Sequence, residues 1–207
     1  NVFTQEMIDM EEREQVHSVF DTLGVQIAEL RNKSPLSVFR YRFPWLLATI
    51  TSGTVCALLV GLFQATLAES LILAFFLTLV LGLGESVSMQ TMAITVHYMH
   101  HRASQPGWYF DVLRRELTRV FLLAAACGSI VGSIAFVWKR DQAAGFVIAS
   151  GIMASLMLAG FIGVSVPALL HKLKLDLHLA SGPLTLAFAD ICTIVSYFSL
   201  AAFILGR

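Results

Sequence analysis

Residues 179–206, LASGPLTLAFADICTIVSYFSLAAFILG, decide how this chain reads. The run is long enough to cross a bilayer, and its single ionisable side chain is Asp190. A carboxylate at membrane depth is costly unless it faces a water-filled path, a counter-charge or an ion. The first expectation is therefore ion handling, against the bland alternative of a protonated acid hydrogen-bonded inside a helix bundle.

The rest of the composition points the same way. Of 207 residues, 57% are hydrophobic and 14% charged, whereas soluble proteins carry about 25% charged residues. Mean hydropathy is +0.74. About five spanning helices of roughly 20 residues each would occupy most of the chain. A formal net charge of zero argues against a globally basic surface that seeks nucleic acid. Cys56, Cys127 and Cys192 all fall in apolar runs without CxxC spacing and read as small buried hydrophobes. The first segment begins at Asn1 and is acidic and amphipathic, unlike the basic and then apolar halves of a signal peptide. A trimmed chain or an upstream domain is expected.

Residues 1–39 carry Glu6, Asp9, Glu11, Glu12, Glu14, Asp21 and Glu29, with Met7, Met10, Val16, Val19 and Phe20 at helical spacing. They predict an amphipathic cytosolic arm. Residues 40–207 then hold five apolar runs: 43–68, 70–96 with Glu85 inside, 120–138, 143–170, and 179–206 with Asp190 inside. The fold class is all-α, a polytopic membrane protein with five transmembrane helices. A helix over the second run would exceed a hydrocarbon core of about 30 Å, so it should tilt, protrude or break, with Gly82 and Gly84 the expected place for a break.

Short-loop Lys and Arg residues set the orientation. Arg40, Arg42, Arg102, Arg114, Arg115, Arg119, Lys172 and Lys174 fall on the side of the N-terminal arm, and Lys139, Arg140 and Arg207 on the other. This predicts an inner (plasma) membrane protein with N-terminus in the cytosol and C-terminus outside. An odd span count forbids a simple two-fold repeat within the chain, so a symmetric pore calls for a homodimer.

The stretch LDLHLASGPLTLAFAD, residues 175–190, resembles the segment leading into the last helix of MgtE-type magnesium transporters. RFPWL at 42–46 and GLGESVSMQ at 82–90 fall where that family has similar segments, and the resemblance extends over about residues 10–207. It implies a homodimeric Mg²⁺ channel with a five-helix membrane domain, a plug-like helix before the first span, and upstream or separate cytosolic domains that sense Mg²⁺. It makes Asp190 the pore carboxylate, paired with its dimer mate, and the Leu186 carbonyl one turn earlier a candidate acceptor for ion-bound water. Glu116, in RRELTR, matches a family glutamate near the cytosolic mouth. Where the family has a Gly-Gly-Asn-x-Gly-x-Gln run, this chain keeps Gly84 and Gln90, lacks the Asn and gains Glu85. The family's mid-helix proline is Thr78 here, and its glutamate near the start of that helix aligns with Ala68, beside Glu69.

Mg²⁺ dehydrates reluctantly, so carboxylates and carbonyls that hydrogen-bond the hydrated ion are suited to selecting it. Glu85, with Ser86 and Gln90 on one helical face, is a second candidate cation contact, or else a packing or vestibule residue. His97, His100 and His101 have spacing that could grip a transition metal, although histidines at a helix C-terminus are commonly solvated. The acidic arm reads as a solvated face or a Mg²⁺ sensor. Gly128, Gly132, Gly160 and Gly163 read as helix-packing residues. Pro183 reads as a first-turn residue with Ser181 near the cap. No catalytic motif appears, so no enzyme is expected.

The reading is thus a Mg²⁺ channel or transporter whose pore is lined by the second and fifth spans, in contact with membrane lipid and not with nucleic acid. The metal-site residues are Asp190, Leu186, Glu85, Glu116, Gln90 and Ser86. Alternatives are a transporter or exchanger for another divalent ion such as Co²⁺ or Zn²⁺, or a non-conducting membrane-anchored metal sensor.

Overall fold

A computed structural model describes residues 35–102, 107–174 and 177–204. Among them the regular structure is entirely helical: α1 (Pro35–Leu62), α2 (Gln64–Glu69), α3 (Ile72–Arg102), α4 (Trp108–Lys139), α5 (Gln142–Lys172) and α6 (Leu177–Ile204). Helices satisfy their own backbone groups, the condition that lipid imposes on a spanning segment. Four stretches are long and apolar enough to cross a membrane: Ile72–Met99, Trp108–Lys139, Gln142–Lys172 and Ser181–Ile204. The apolar part of α1, Leu46–Leu62, is shorter. The acidic arm lies outside the described residues as far as residue 34, as do the side chains of His100 and His101.

The chain divides into two compact units, 1–46 and 47–207. In the first, residues 35–46 are helical, and Phe39 stacks on Phe43 one turn later with ring centroids 4.7 Å apart. The second holds the bundle.

Helix α5 is the centre of that bundle, packed along α4, α6 and α3. Small residues make this possible. A Cβ on Gly145 would lie 2.9 Å from the Gly132 carbonyl oxygen, and one on Gly128 would lie 2.8 Å from that of Ala149, so α4 and α5 touch backbone to backbone. Farther along α5, Gly160 receives the Val120 side chain of α4, Gly151 the Tyr197 ring of α6, and Gly163 the Ser88 carbonyl of α3. The packing role expected for Gly128, Gly132, Gly160 and Gly163 is what the contacts display. The turn between α4 and α5 is short: Arg140 takes the left-handed conformation (φ 53°), and the Asp141 side chain accepts the Ala143 N–H at 2.9 Å to cap α5.

Two expectations are corrected. The second long run does not break at Gly82 and Gly84; α3 is continuous over 31 residues, about 46 Å at 1.5 Å per residue. Gly84 is needed for clearance, because a Cβ there would stand 2.8 Å from Thr193 Oγ1 of α6, whereas Gly82 faces open space. Pro183 lies inside α6 and not in its first turn, since the helix starts at Leu177. So near the start of a helix, a proline gives up one intrahelical bond and leaves the rest of the ladder intact.

The backbone contact gives a stability prediction. Gly132→Val should destabilise the bundle by about 1–3 kcal/mol or more, because Ala149 Cβ and the Gly145 carbonyl stand where the new carbons must go. Gly53→Ala, with no atom within 4 Å of its new Cβ, should be neutral or slightly stabilising. Thermal melting of the purified variants in detergent checks both.

Candidate ion site between α3 and α6

Asp190 sits midway along α6 and is half-buried, with Oδ1 sealed from solvent and without a hydrogen-bond partner. The hydroxyls of Thr193 and Thr185 on the same helix share that condition. This is unusual for helical threonines. Those of Thr51, Thr54, Thr95 and Thr118 each donate to the carbonyl four residues back at 2.8 Å, the normal way a hydroxyl is satisfied in an apolar helix. A buried polar atom without a partner costs about 1–3 kcal/mol, and three of them fall within nine residues of this one helix.

Neighbouring helices fix this stretch from several sides. On α1, Ser52 donates to the Ala187 carbonyl at 3.2 Å, and Cys56 lies within electrostatic range of Asp190. On α5, Ser155 donates to the Thr193 carbonyl at 3.3 Å and shares a hydrogen bond with Ser196 at 3.0 Å. On α3, the Leu73 carbonyl accepts the fully buried Tyr197 hydroxyl at 3.3 Å. The missing Cβ of Gly84 leaves room for the Thr193 side chain.

The next residue on α3, Glu85, acts electrostatically on Asp190. Glu85, Ser86 and Gln90 are exposed, and the Gln90 amide donates to the Ser86 hydroxyl at 3.2 Å. Val87, Ser88, Thr91 and Thr95 point the other way, into the bundle. One side of α3 thus presents a carboxylate, a hydroxyl and an amide at the surface of an otherwise apolar helix.

The structure accordingly brings two of the expected carboxylates, Asp190 and Glu85, into one region, with Leu186 one turn before Asp190 and Ser86 and Gln90 beside Glu85. Glu116 stands apart from that set on α4, where it is almost fully buried and ion-paired with Arg119 one turn on. Among the described residues no group of three or more His, Cys, Asp or Glu side chains could hold a metal ion. The sequence reading overlooked Thr193 and Thr185. Its available signal was the i, i+3 spacing of Asp190 and Thr193, which puts both on one side of α6.

A bundle with four helices of membrane-spanning length and a carboxylate half-buried within one of them has the layout of a polytopic membrane protein. The MgtE family model, described as a divalent cation transporter, matches residues 77–200, and the chain belongs to that family. It is 27% identical over 169 residues to a magnesium transporter MgtE of Bacillus subtilis, covering 82% of this chain and 37% of that protein. A magnesium transporter MgtE of Enterococcus faecalis is 25% identical over 201 residues, covering 97% of this chain and 44% of the relative. That of Thermus thermophilus is 24% identical over 213 residues, covering 99% and 46%. The chain thus spans less than half the length of the curated relatives it matches.

The tight fit of Gly84 on Thr193 gives a coupled prediction. Gly84→Ala should destabilise the chain by on the order of 1 kcal/mol. Adding Thr193→Ala, which removes the opposing atoms, should recover most of that loss. A double-mutant cycle by thermal or denaturant unfolding should give a coupling energy of about 0.5–3 kcal/mol, and additive effects would remove the contact from the account.

Proposed function

We propose that this chain is the membrane domain of a magnesium transporter and that the Asp190–Glu85 region of α6 and α3 recognises the ion. The observation that carries the reading is the unpartnered Asp190 Oδ1, beside the equally unpartnered Thr193 hydroxyl, in a chain of the MgtE family. Relatives named magnesium transporters supply the ion. Two like charges at membrane depth repel each other in a low dielectric, and a divalent cation between them removes the repulsion. Two carboxylates with hydroxyl and carbonyl oxygens are too few for a dehydrating cage but suit an ion that keeps its water. Leu186 supplies a carbonyl for that water and Ser86 and Gln90 extend the polar path along α3, while Glu116, buried in its ion pair with Arg119, takes no part in it.

The proposal places the path between two copies of the chain, with α3 and α6 of each lining it. Helix α1 then makes a fifth crossing, residues 1–39 form a cytosolic arm, the N-terminus is inside and the C-terminus outside. The inside-negative potential drives entry, at about 2.3 kcal/mol per charge per 100 mV. A cytosolic regulatory part lies upstream or on a separate chain. A second reading, passage of another divalent ion, is favoured by Glu85, since an added carboxylate raises the charge offered to any divalent cation.

Asp190→Asn should reduce Mg²⁺ uptake into proteoliposomes to the level of empty vesicles while leaving size-exclusion behaviour unchanged. Glu85→Gln should reduce uptake partially and alter the competition among Mg²⁺, Co²⁺, Zn²⁺ and Ca²⁺. Wild-type uptake rates in Asp190→Asn would overturn the assignment.

A further inference from the structure

We propose that the outer groove between α4 and α5 is a binding site for one anionic phospholipid, with its phosphate at Lys172 and its acyl chains running toward Met157. Two adjoining hollows make up the groove. The first, of about 630 Å³, lies where α4 begins and α5 ends and is lined by Trp108, Tyr109, Phe161, Ser165, His171 and Lys172 among others. The second, of about 540 Å³, lies deeper along the same two helices, lined by Leu113, Arg114, Leu117, Thr118 and Phe121 of α4 and Met157 of α5 among others. Phe161 and Met157 are one helical turn apart on α5, so the hollows follow one another along a single furrow.

The chemistry changes along that furrow as it does along a phospholipid. At its end, Lys172 and His171 are exposed in the last turn of α5. Beside them α4 begins, with its positive helix end and no side-chain cap, Gly107 being the cap residue. Tyr109 and Ser165 share a hydrogen bond between their hydroxyls at 3.0 Å. One hydroxyl hydrogen holds the two helices together there, and the second is free to donate to a phosphate oxygen. Trp108 and Tyr109 are the residue types that collect at headgroup level. Farther in the lining is apolar apart from Arg114 and Thr118, and Phe121 and Phe161 are 47% and 40% exposed in helices long enough to span the membrane.

Charge complementarity selects an anionic lipid over a zwitterionic one, because basic pockets between transmembrane helices hold anionic headgroups. The apolar continuation selects a lipid over a free phosphate. The site is separate from the Asp190 region and does not rest on the transport reading.

The test is lipid retention by the intact chain, measured by native mass spectrometry and thermal melting after exchange into detergent with phosphatidylglycerol, with phosphatidylcholine, or with glycerol 3-phosphate alone. The expected result is one phosphatidylglycerol per chain, a raised melting temperature with that lipid, and little effect of the other two additives. Lys172→Gln should weaken retention about fivefold. Tyr109→Phe combined with Ser165→Ala should weaken it further, and Met157→Trp should block it by filling the furrow. Lys139→Gln, at the other end of α4, should retain lipid as the wild type does. Equal retention of phosphatidylcholine, equal stabilisation by glycerol 3-phosphate, or unchanged retention in Lys172→Gln would each overturn the proposal. So would a chain that retains no lipid and loses self-association in Met157→Trp, since a second copy of the chain would then occupy the groove.

Discussion

Close backbone contact along α5 is the constraint on which the bundle depends. Lipid tails are as apolar as leucine, so burying apolar side chains against one another gains little inside a membrane, and packing must come from proximity. Helix α5 obtains proximity on three sides with glycines at four levels: Gly145 and Gly160 toward α4, Gly151 toward α6 and Gly163 toward α3. Each contact is with a backbone carbonyl or a bulky side chain that no larger residue would admit. Positions of α3 and α6 relative to each other, and so of Glu85 relative to Asp190, follow from both being held against the same central helix.

That fixed frame is what allows polar atoms to stay unsatisfied. In a loosely packed helix the hydroxyls of Thr185 and Thr193 would donate to the carbonyls four residues back, as those of Thr95 and Thr118 do. Here the Thr193 carbonyl accepts from the Ser155 and Ser196 hydroxyls, which ties this turn of α6 to α5, and the Thr193 side chain packs against Gly84. The cost of leaving those oxygens unpaired is met by the packing of the whole helix pair. A stretch held this way keeps its oxygens oriented, which on the proposed reading suits selection of an ion by its hydration shell instead of by stripping it.

The sequence made part of this legible. Asp190 stood out because a carboxylate in a long apolar run is costly, and the glycines of α4 announced helix contact through their four-residue spacing. What it concealed was which partner each small residue serves. Gly84 reads as a helix breaker beside Gly82, yet only the position of Thr193, more than a hundred residues later, reveals that it provides clearance. Pro183 reads as a helix start for a similar reason: local rules place proline in a first turn, and only the full extent of α6 shows the chain helical before it. Only the i, i+3 spacing of Thr193 from Asp190 was readable for the threonines, since an unsatisfied hydroxyl is a property of three-dimensional surroundings and leaves no trace in composition. Glu116 was visible as a charge but not as half of an ion pair with Arg119.

Helix α3 carries the tension that the fold leaves open. Its inner face, with Val80, Gly84, Ser88 and Thr91, is closed against α5 and α6, and its outer face offers Glu85, Ser86 and Gln90. The hydrogen bond from Gln90 to Ser86 satisfies part of that face locally. It does nothing for the Glu85 carboxylate. A charge so placed on a membrane helix costs a few kcal/mol or more against lipid, a sizeable part of the stability of a typical domain. Water, a cation or a matching surface must therefore stand opposite it. Asp190 lies within electrostatic range of Glu85, so both carboxylates place their demand on one region of the fold. On the proposed reading a hydrated divalent cation meets that demand, which an apolar helix would leave unmet.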